Sequence, residues 1–309
     1  MLRELLNNSP DIWISDIESD FIPRFTRTIE RFGDLQERTN FERCAEELGR
    51  TRAFWYWTGR GITIDTQRWY DRCRSHDWAG VLEGLFHCVH EQEISDSPRP
   101  WPEILWGDKT PAYMMDVPLL ATLFPQARFV HLIRDPRDCG LSAEQAWGSA
   151  PLRTAQKWAD RVRACRTAGK TLGPERYLEV RYEDLISDVT GKLAELFDFL
   201  GVPTPADAGR FLRVPENLGA ARGAAHVVAA NQQKWKTRMP ATLQKKIERV
   251  AGDLLDDLGY DREHPQVPTQ RLSWLQMNAY FVRDAWRQLA VTRHEQGGWI
   301  RGLRFLLVR

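Results

Sequence analysis

Short apolar runs alternate along the chain with longer segments in which apolar residues recur at helical spacing. The runs are brief and rich in β-branched and aromatic residues, so they predict buried strands. They cover residues 12–14, 104–106, 129–133 and 176–182. Helical spacing covers residues 2–10, 41–48, 78–94, 154–171, 189–200 and 241–258. This alternation predicts an α/β fold in which helices flank a parallel sheet.

The pattern changes near residue 262. Pro265 and Pro268 indicate a linker, so we predict one domain at residues 1–262 and a helical C-terminal extension at residues 263–309. Aromatic and basic residues interleave in the extension, a pattern typical of an interfacial membrane helix or of a helix that binds a partner. We expect docking on the domain, or contact within a homodimer, rather than attachment to a membrane.

The composition is that of a globular protein without a general affinity for polyanions. The 309 residues are 42% hydrophobic and 28% charged with a net charge of +1, so nucleic acid is not an expected partner and an anion site must be a local cluster. The five cysteines form no C-x-x-C pair, which favours a reducing compartment. No stretch approaches the roughly 18 apolar residues of a membrane span, and the start lacks a signal-peptide pattern. We therefore expect a cytoplasmic protein.

One predicted strand leads into residues that are suited to holding a phosphate. Arg134 directly follows the strand at residues 129–133, and Pro136 disfavours its continuation. Asp138 then begins a predicted helix that carries Ser142. The arginine can bind two phosphate oxygens at once, while the serine hydroxyl and the helix N-terminus supply further donors.

Around these residues the chain resembles the sulfotransferases that use 3′-phosphoadenosine 5′-phosphosulfate (PAPS), and among them the tyrosylprotein and carbohydrate enzymes. In that family an R-[DN]-P-x-D segment, with a serine eight residues after the arginine, grips the nucleotide 3′-phosphate, and Arg134 and Ser142 match this spacing. Three further family segments occur in the expected order: K-T-P at residues 109–111 before the strand that precedes Arg134, and R-Y-E-D-L at 181–185 and G-V-P at 201–203 after it. The resemblance implies the sulfotransferase fold, which is similar to that of P-loop NTPases, with PAPS as the co-substrate.

The family's Gly-rich phosphosulfate loop, of the type G-x-x-R-S-G-T-T, has no match in this sequence. That loop normally joins a first strand to a helix, and residues 2–10 resemble this helix. Two interpretations remain open: the chain is shortened at its start, or it is a degenerate relative that has lost the loop. We favour shortening, because the other motifs match. Since the first strand lies in the middle of the family's sheet, its loss would leave two neighbouring strands with unpaired backbone groups.

Two charged residues are candidates for the chemistry. In related enzymes an acid shortly after the first helix serves as the catalytic base, and Glu18 falls nearest that position, with Asp16 as the alternative. A solvated acidic turn would be the purely structural explanation. Lys109 follows a predicted strand at the end where ligands bind in parallel sheets, and a lysine there can stabilise the departing oxygen. A salt bridge with Asp108 or a neighbour is the structural alternative for Lys109.

The resemblance also implies further contacts with the nucleotide. Tyr182 corresponds to the family's tyrosine near the adenine. A basic residue of a late loop closes over the 3′-phosphate, and Arg222 and Lys234 are both candidates for it. Trp235 and Lys236 fit the family's tryptophan followed by a basic residue.

These residues predict an enzyme that moves a sulfuryl group from PAPS to a hydroxyl or amine of a small-molecule, carbohydrate or peptide acceptor. We expect no metal, because a sulfuryl group carries less charge than a phosphoryl group and because His87 and His90 lack the further ligands that zinc needs. One alternative is a non-catalytic nucleotide-binding or scaffold protein of the same fold. A P-loop kinase is the other, although its phosphate loop and Mg²⁺ site are missing.

Overall fold

The computed structural model describes residues 1–94, 100–101, 103–208 and 227–295, with side chains of the last helix described as far as residue 287. The strands are β1 (Ile12–Ile14), β2 (Leu105–Gly107), β3 (Phe129–Ile133) and β4 (Tyr177–Arg181). The helices are α1 (Leu2–Leu6), α2 (Ile22–Thr26), α3 (Arg38–Gly49), α4 (Arg52–Gly59), α5 (Thr66–Arg72), α6 (Trp78–Glu93), α7 (Val117–Leu123), α8 (Pro136–Trp147), α9 (Pro151–Leu172), α10 (Tyr182–Ser187), α11 (Val189–Leu200), α12 (Trp235–Arg238), α13 (Ala241–Asp257) and α14 (Trp274–Glu295). Arg222 and residues 296–309 of the predicted extension lie outside the described residues.

The chain divides into two compact units. The first consists of Met1–Arg128 with Leu193–Leu212, and the second of Phe129–Lys192 with Arg213–Arg309. The predicted boundary at residue 262 stays a prediction. Within the second unit the described part of the extension packs on α9, where Gln156 Oε1 accepts a hydrogen bond of 2.8 Å from the N–H of Leu272.

Each unit contains one pair of parallel strands. In the first unit β1 pairs with β2, Ile12 lying opposite Leu105. In the second unit β3 pairs with β4, from Phe129 opposite Tyr177 to Ile133 opposite Arg181. Parallel neighbours need long crossover connections, and helices supply them here: α2 to α6 between the first pair, α8 and α9 between the second. The predicted parallel α/β architecture is confirmed, and all four predicted strands are present.

The core of the first unit is predominantly aromatic. Its largest side chains are almost completely buried: Trp13, Phe21, Phe25, Phe41, Trp57, Trp69 and Phe86. Edge-to-face contacts order several of these rings, and the centroids of Phe41 and Trp69 lie 5.1 Å apart. This core supports β1 and β2 and thereby fixes the segments that follow each strand.

The helix predicted to begin at Asp138 begins two residues earlier, so that prediction was wrong. The Asp135 carboxylate caps α8 by accepting a hydrogen bond of 2.8 Å from the N–H of Arg137. Pro136 occupies the first helical position, where its missing N–H costs nothing and its fixed φ suits the helix. Asp138 instead turns inward and accepts a hydrogen bond of 3.0 Å from the N–H of Trp235.

A buried arginine joins α8 to α13 within the second unit. Arg137 is 1% exposed and donates to Asp135 at 2.7 Å, to Glu248 at 2.8 Å and to the carbonyl of Asp261 at 2.7 Å. Its guanidinium carbon also lies 3.5 Å from the ring centroid of Trp235. Two carboxylates, a carbonyl and an aromatic face thus compensate the desolvation of one buried cation.

No helix in the described part of the chain is both long enough and apolar enough to cross a membrane.

Candidate functional site

Predicted site residues follow the carboxyl end of a strand in both units. In the first unit Glu18 comes four residues after β1, and Lys109 comes two residues after β2. In the second unit Arg134 directly follows β3, and Tyr182 directly follows β4. Since paired parallel strands end at the same edge, each pair brings its two following segments together, and ligand sites form at this edge in open α/β sheets.

Three predicted nucleotide-binding residues meet at Asn231. Arg134 Nη2 donates to the carbonyl of Asn231 at 3.0 Å, and its guanidinium carbon lies 4.6 Å from the ring centroid of Tyr182. Asn231 Nδ2 donates to the Tyr182 hydroxyl at 2.8 Å. Lys234 Nζ donates to Asn231 Oδ1. We call these four residues the Asn231 cluster. It brings Lys234, one of the two candidates for the late basic residue, beside Arg134.

The Asn231 cluster holds two cations without a carboxylate bound to either. Burial, together with the charges of Arg134 and Arg238, lowers the pKa of Lys234. Arg134 Nε is buried and lacks a hydrogen-bond partner among the described residues. The charge of Asp138 acts on both cations, but one oxygen of its carboxylate accepts a hydrogen bond from the N–H of Trp235 and the other has no hydrogen-bond partner in the described part of the chain. An anion placed here would relieve the repulsion and satisfy the unused donors, so the arrangement suits a phosphate.

The other two nucleotide candidates are not part of this cluster as the structure describes it. Ser142 lies on α8, half-buried, eight residues after Arg134. No hydrogen bond joins Ser142 to the Asn231 cluster among the described residues, and its role stays a prediction. Arg222 lies outside the described residues, so the sequence-level choice between Arg222 and Lys234 stays open.

Within the first unit the two candidate catalytic residues form an ion pair. Lys109 Nζ lies 2.5 Å from Glu18 Oε1, and both side chains remain about half exposed. The pair is therefore accessible to a substrate while also fulfilling the salt-bridge alternative for Lys109. Asp16, the alternative base, contacts two arginines instead, Arg3 and Arg60. Asp16 thus has two cationic partners, whereas Glu18 has one among the described residues.

Ser19 fastens the segment that carries Glu18 to the segment that carries Lys109. Its hydroxyl, fully buried, donates to Asp108 Oδ2 at 3.0 Å and lies 2.6 Å from the hydroxyl of Tyr113. Its backbone N–H donates to Thr110 Oγ1 at 3.1 Å. Burial raises the pKa of the Asp108 carboxyl to about 6, although hydrogen bonds from Thr110 and Ser19 oppose that rise. The sequence alone does not identify Ser19 as a residue that joins two segments, because a single serine in a polar loop cannot be distinguished from a solvated one.

One motif residue next to the Asn231 cluster, Glu183, has a structural role. Glu183, the acid of R-Y-E-D-L, accepts a hydrogen bond of 3.0 Å from the N–H of Asp135 and one of 2.8 Å from the hydroxyl of Tyr260. Burial raises the pKa of Glu183. These bonds tie the end of β3 to the first turn of α10, which helps to set the positions of Arg134 and Tyr182.

The described residues contain no group of three or more histidine, cysteine, aspartate or glutamate side chains suited to a metal ion. The ring of His87 stacks on Trp101 with centroids 4.8 Å apart, and His90 is buried against Trp13. The expectation that no metal takes part stays a prediction.

Known proteins similar to this chain are sulfotransferases. The model of the sulfotransferase family matches residues 1–206. The omega-hydroxy-beta-dihydromenaquinone-9 sulfotransferase Stf3 of Mycobacterium tuberculosis is 27% identical over 177 residues, which are 51% of this chain and 42% of that protein. Carbohydrate sulfotransferase 5 of Mus musculus is 26% identical over 186 residues, 50% of this chain and 47% of that protein. The chain thus spans less than half the length of these curated relatives.

A solved structure shares the fold. The sulfotransferase domain from the Synechococcus PCC 7002 olefin synthase superposes with a TM-score of 0.53 at 23% sequence identity, covering 84% of this chain and 90% of that domain. The predicted sulfotransferase fold is therefore confirmed.

Proposed function

This chain belongs to the sulfotransferase family, and we propose that it transfers a sulfuryl group from PAPS to a hydroxyl or amine acceptor. The observation that carries the proposal is the Asn231 cluster, in which Arg134 lies over the ring of Tyr182 and Lys234 donates to Asn231. Two cations with unused donors fit the 3′-phosphate, and the tyrosine suits the neighbouring adenosine. Ser142 and Arg222 are assigned to the same nucleotide by the resemblance to the family.

In the proposed reaction the acceptor oxygen or nitrogen attacks the sulfur atom in line with the leaving oxygen. A new bond to sulfur forms, the bond from sulfur to the nucleotide phosphate oxygen breaks, and Glu18 takes the acceptor proton. Lys109 stabilises the negative charge on the departing oxygen. The protein residues assigned to the nucleotide do not contact the bonds that form and break. They hold PAPS and thereby orient it for the transfer. No metal enters these steps.

The acceptor is proposed to be a small-molecule or carbohydrate hydroxyl. Support comes from the relatives, whose names assign them a hydroxylated menaquinone and carbohydrates as substrates. A cytoplasmic location belongs to the same proposal. All five cysteines are free, as in proteins of reducing compartments, and burial raises the pKa of Cys44 to about 12, which keeps that thiol protonated.

Titration calorimetry of the whole chain with 3′-phosphoadenosine 5′-phosphate, compared with AMP, tests the nucleotide site. We expect micromolar binding of the bisphosphate and much weaker binding of AMP, which lacks the 3′-phosphate. Arg134→Ala should weaken bisphosphate binding about ten- to hundredfold, the value of a hydrogen bond to a charged group. The matched control is Arg249→Ala, which removes an exposed arginine on α13.

Equal affinity for the two nucleotides, or unchanged affinity in Arg134→Ala, would show that the assigned site is wrong. Turnover of PAPS with a panel of hydroxyl and amine acceptors then tests the reaction. Nucleotide binding without turnover would favour the scaffold alternative. Activity that requires ATP and Mg²⁺ would favour a kinase.

A further inference from the structure

In its described residues, helix α14 packs on the rest of the second unit through the face that carries Tyr280 and Asp284. Asp284, 3% exposed, accepts a hydrogen bond of 2.9 Å from the N–H of Ala150 and one of 3.0 Å from Arg153 Nη1. Tyr280, one turn earlier, packs against a buried cluster that includes Leu152 and Trp235. These contacts fix how the helix is rotated about its axis, and therefore which side chains face outward.

The outward face is apolar. Five large hydrophobic side chains of α14 are exposed by 48% to 75%: Trp274, Leu275, Phe281, Val282 and Trp286. At 100° per residue they fall within an arc of about 140° on the helix surface, and we call them the α14 stripe. Asn278 lies in the same arc, but its amide donates to the carbonyl of Trp274 at 3.0 Å and is satisfied within the helix. A continuous stripe of this size marks an interaction surface rather than ordinary exposure.

The part of the sequence that contains the α14 stripe is positively charged. Residues 271–309 contain seven arginines against Asp284 and Glu295, a net charge of +5, while the whole chain carries only +1. Arg283 lies beside the edge of the stripe and is about half exposed, with Asp284 at 3.8 Å, whereas Arg287 lies on the docked face near Glu144 of α8. Every charged residue after Glu295 is an arginine. A partner for this surface must therefore be apolar and negatively charged.

We propose that the α14 stripe binds the surface of an anionic lipid bilayer, with α14 lying in the plane of the interface. Tryptophan side chains favour the headgroup region, and the arginines attract anionic headgroups. A second copy of the chain fits less well, because pairing two such surfaces would bring like charges together. From the sequence we expected the extension to dock on the domain or to form a dimer contact. In the structure α14 docks through the face opposite the α14 stripe, so the stripe itself stays exposed. This inference does not depend on the proposed reaction.

Flotation of the whole chain with lipid vesicles tests the proposal. We expect binding to phosphatidylcholine vesicles that contain about 30% phosphatidylglycerol, weak binding to pure phosphatidylcholine, and loss of binding as salt is raised. The double variant Trp274→Ser/Trp286→Ser should bind about tenfold more weakly, since it removes most of the apolar area of the stripe. Trp55→Ser is the matched control, because Trp55 belongs to the first unit and is 68% exposed.

A second variant separates the electrostatic contribution and guards against a folding defect. Arg283→Gln should weaken binding to anionic vesicles and leave binding to neutral vesicles unchanged, with circular dichroism confirming the fold of each variant. Absence of binding by the unmodified chain, or an equal loss in Trp55→Ser, overturns the proposal. Sedimentation velocity provides a further check. If the chain is a dimer in the absence of lipid and Trp286→Ser converts it to a monomer, a second copy is the occupant of the stripe. That result would overturn the proposal as well.

Discussion

Arg134 and Lys234 share one neutral acceptor, Asn231, although both carry positive charge. Holding two like charges close together costs free energy in the unliganded protein. Burial of Lys234 adds to this cost, and the lowered pKa of Lys234 reflects both effects. An anion recovers that free energy on binding. The spare donors of the two side chains are thus more useful for recognition than for stability.

Replacing Lys234 by glutamine should weaken binding of 3′-phosphoadenosine 5′-phosphate about tenfold, because one cation and its charge-assisted hydrogen bond are lost. Calorimetry at two salt concentrations measures this, and the salt dependence should also decrease. Lys245→Gln is the matched control, because Lys245 is an exposed lysine on α13. The same titration of Arg222→Gln ranks the two candidates. If only Arg222→Gln weakens binding, the late basic residue is Arg222.

Glu18→Gln should lower kcat by about 10² to 10⁴, the usual contribution of a general base, while leaving the affinity for the product nucleotide unchanged. Steady-state kinetics with PAPS and an active acceptor would measure kcat and KM. Asp16→Asn is the comparison, because Asp16 is engaged by Arg3 and Arg60 and should matter little for kcat. The reverse pattern would make Asp16 the base.

At the scale of elements, two loops of the first unit are joined side by side. One follows β1 and carries Glu18, and the other follows β2 and carries Lys109. Ser19 bonds to Asp108, Thr110 and Tyr113, so the two loops are tied together immediately beside the ion pair. Parallel strand pairing brings the two loops near each other. The hydrogen bonds of Ser19 then fix how the loops lie against one another.

Because of Asp108, the free energy of unfolding should decrease as the pH rises from about 4 to about 6. Because burial raises its pKa from 3.8 to about 6 in the folded state, the folded protein binds more protons than the unfolded chain in this range. Its stabilising effect is therefore complete below pH 3.8 and is lost as pH rises through 6. Asp108→Asn should remove this component, which amounts to at most about 3 kcal/mol. Urea unfolding at several pH values measures it; an identical pH profile in the variant would contradict the prediction.

At the scale of the whole molecule, the candidate residues are distributed over both compact units. The ion pair of Glu18 and Lys109 belongs to the first unit, and the Asn231 cluster belongs to the second. Each unit has its own strand pair and its own core. In the second unit, the buried Arg137 connects α8 to α13 and so supports the helix that follows Arg134.

Arg137→Met should destabilise the protein by about 3–5 kcal/mol, because it leaves the buried carboxylates of Asp135 and Glu248 without their cation. Chemical denaturation measures the free energy of unfolding. Arg163→Met is the matched control. It also breaks an ion pair between α9 and α13, with Asp253 at 2.8 Å, but that pair is exposed and should contribute less than about 1 kcal/mol. Similar losses in the two variants would contradict the prediction.

Local pattern was sufficient to predict all four strands, and the helices at 78–94 and 189–200 were placed nearly as observed. The start of α8 could also have been predicted from the sequence, because Asp135 is a common N-cap residue and Pro136 is common at the first position of a helix. The prediction nevertheless began the helix at Asp138. Arg134 and Lys109 were proposed because ligand sites form at the carboxyl ends of parallel strands, whereas Glu18 and Tyr182 were proposed from the resemblance to the family.

By itself the sequence therefore determined the four strands, the longer helices and the α/β class, because these follow from hydrophobic periodicity over short stretches of the chain. Only the tertiary structure decided which side chains meet. Arg134 reaches Asn231 across 97 residues, Ser19 reaches Asp108 across 89 and Arg137 reaches Glu248 across 111. Likewise, rotation of α14 about its axis decided which face is exposed. Such contacts follow from how whole elements pack, and a polar residue carries no local sign of a partner so far along the chain.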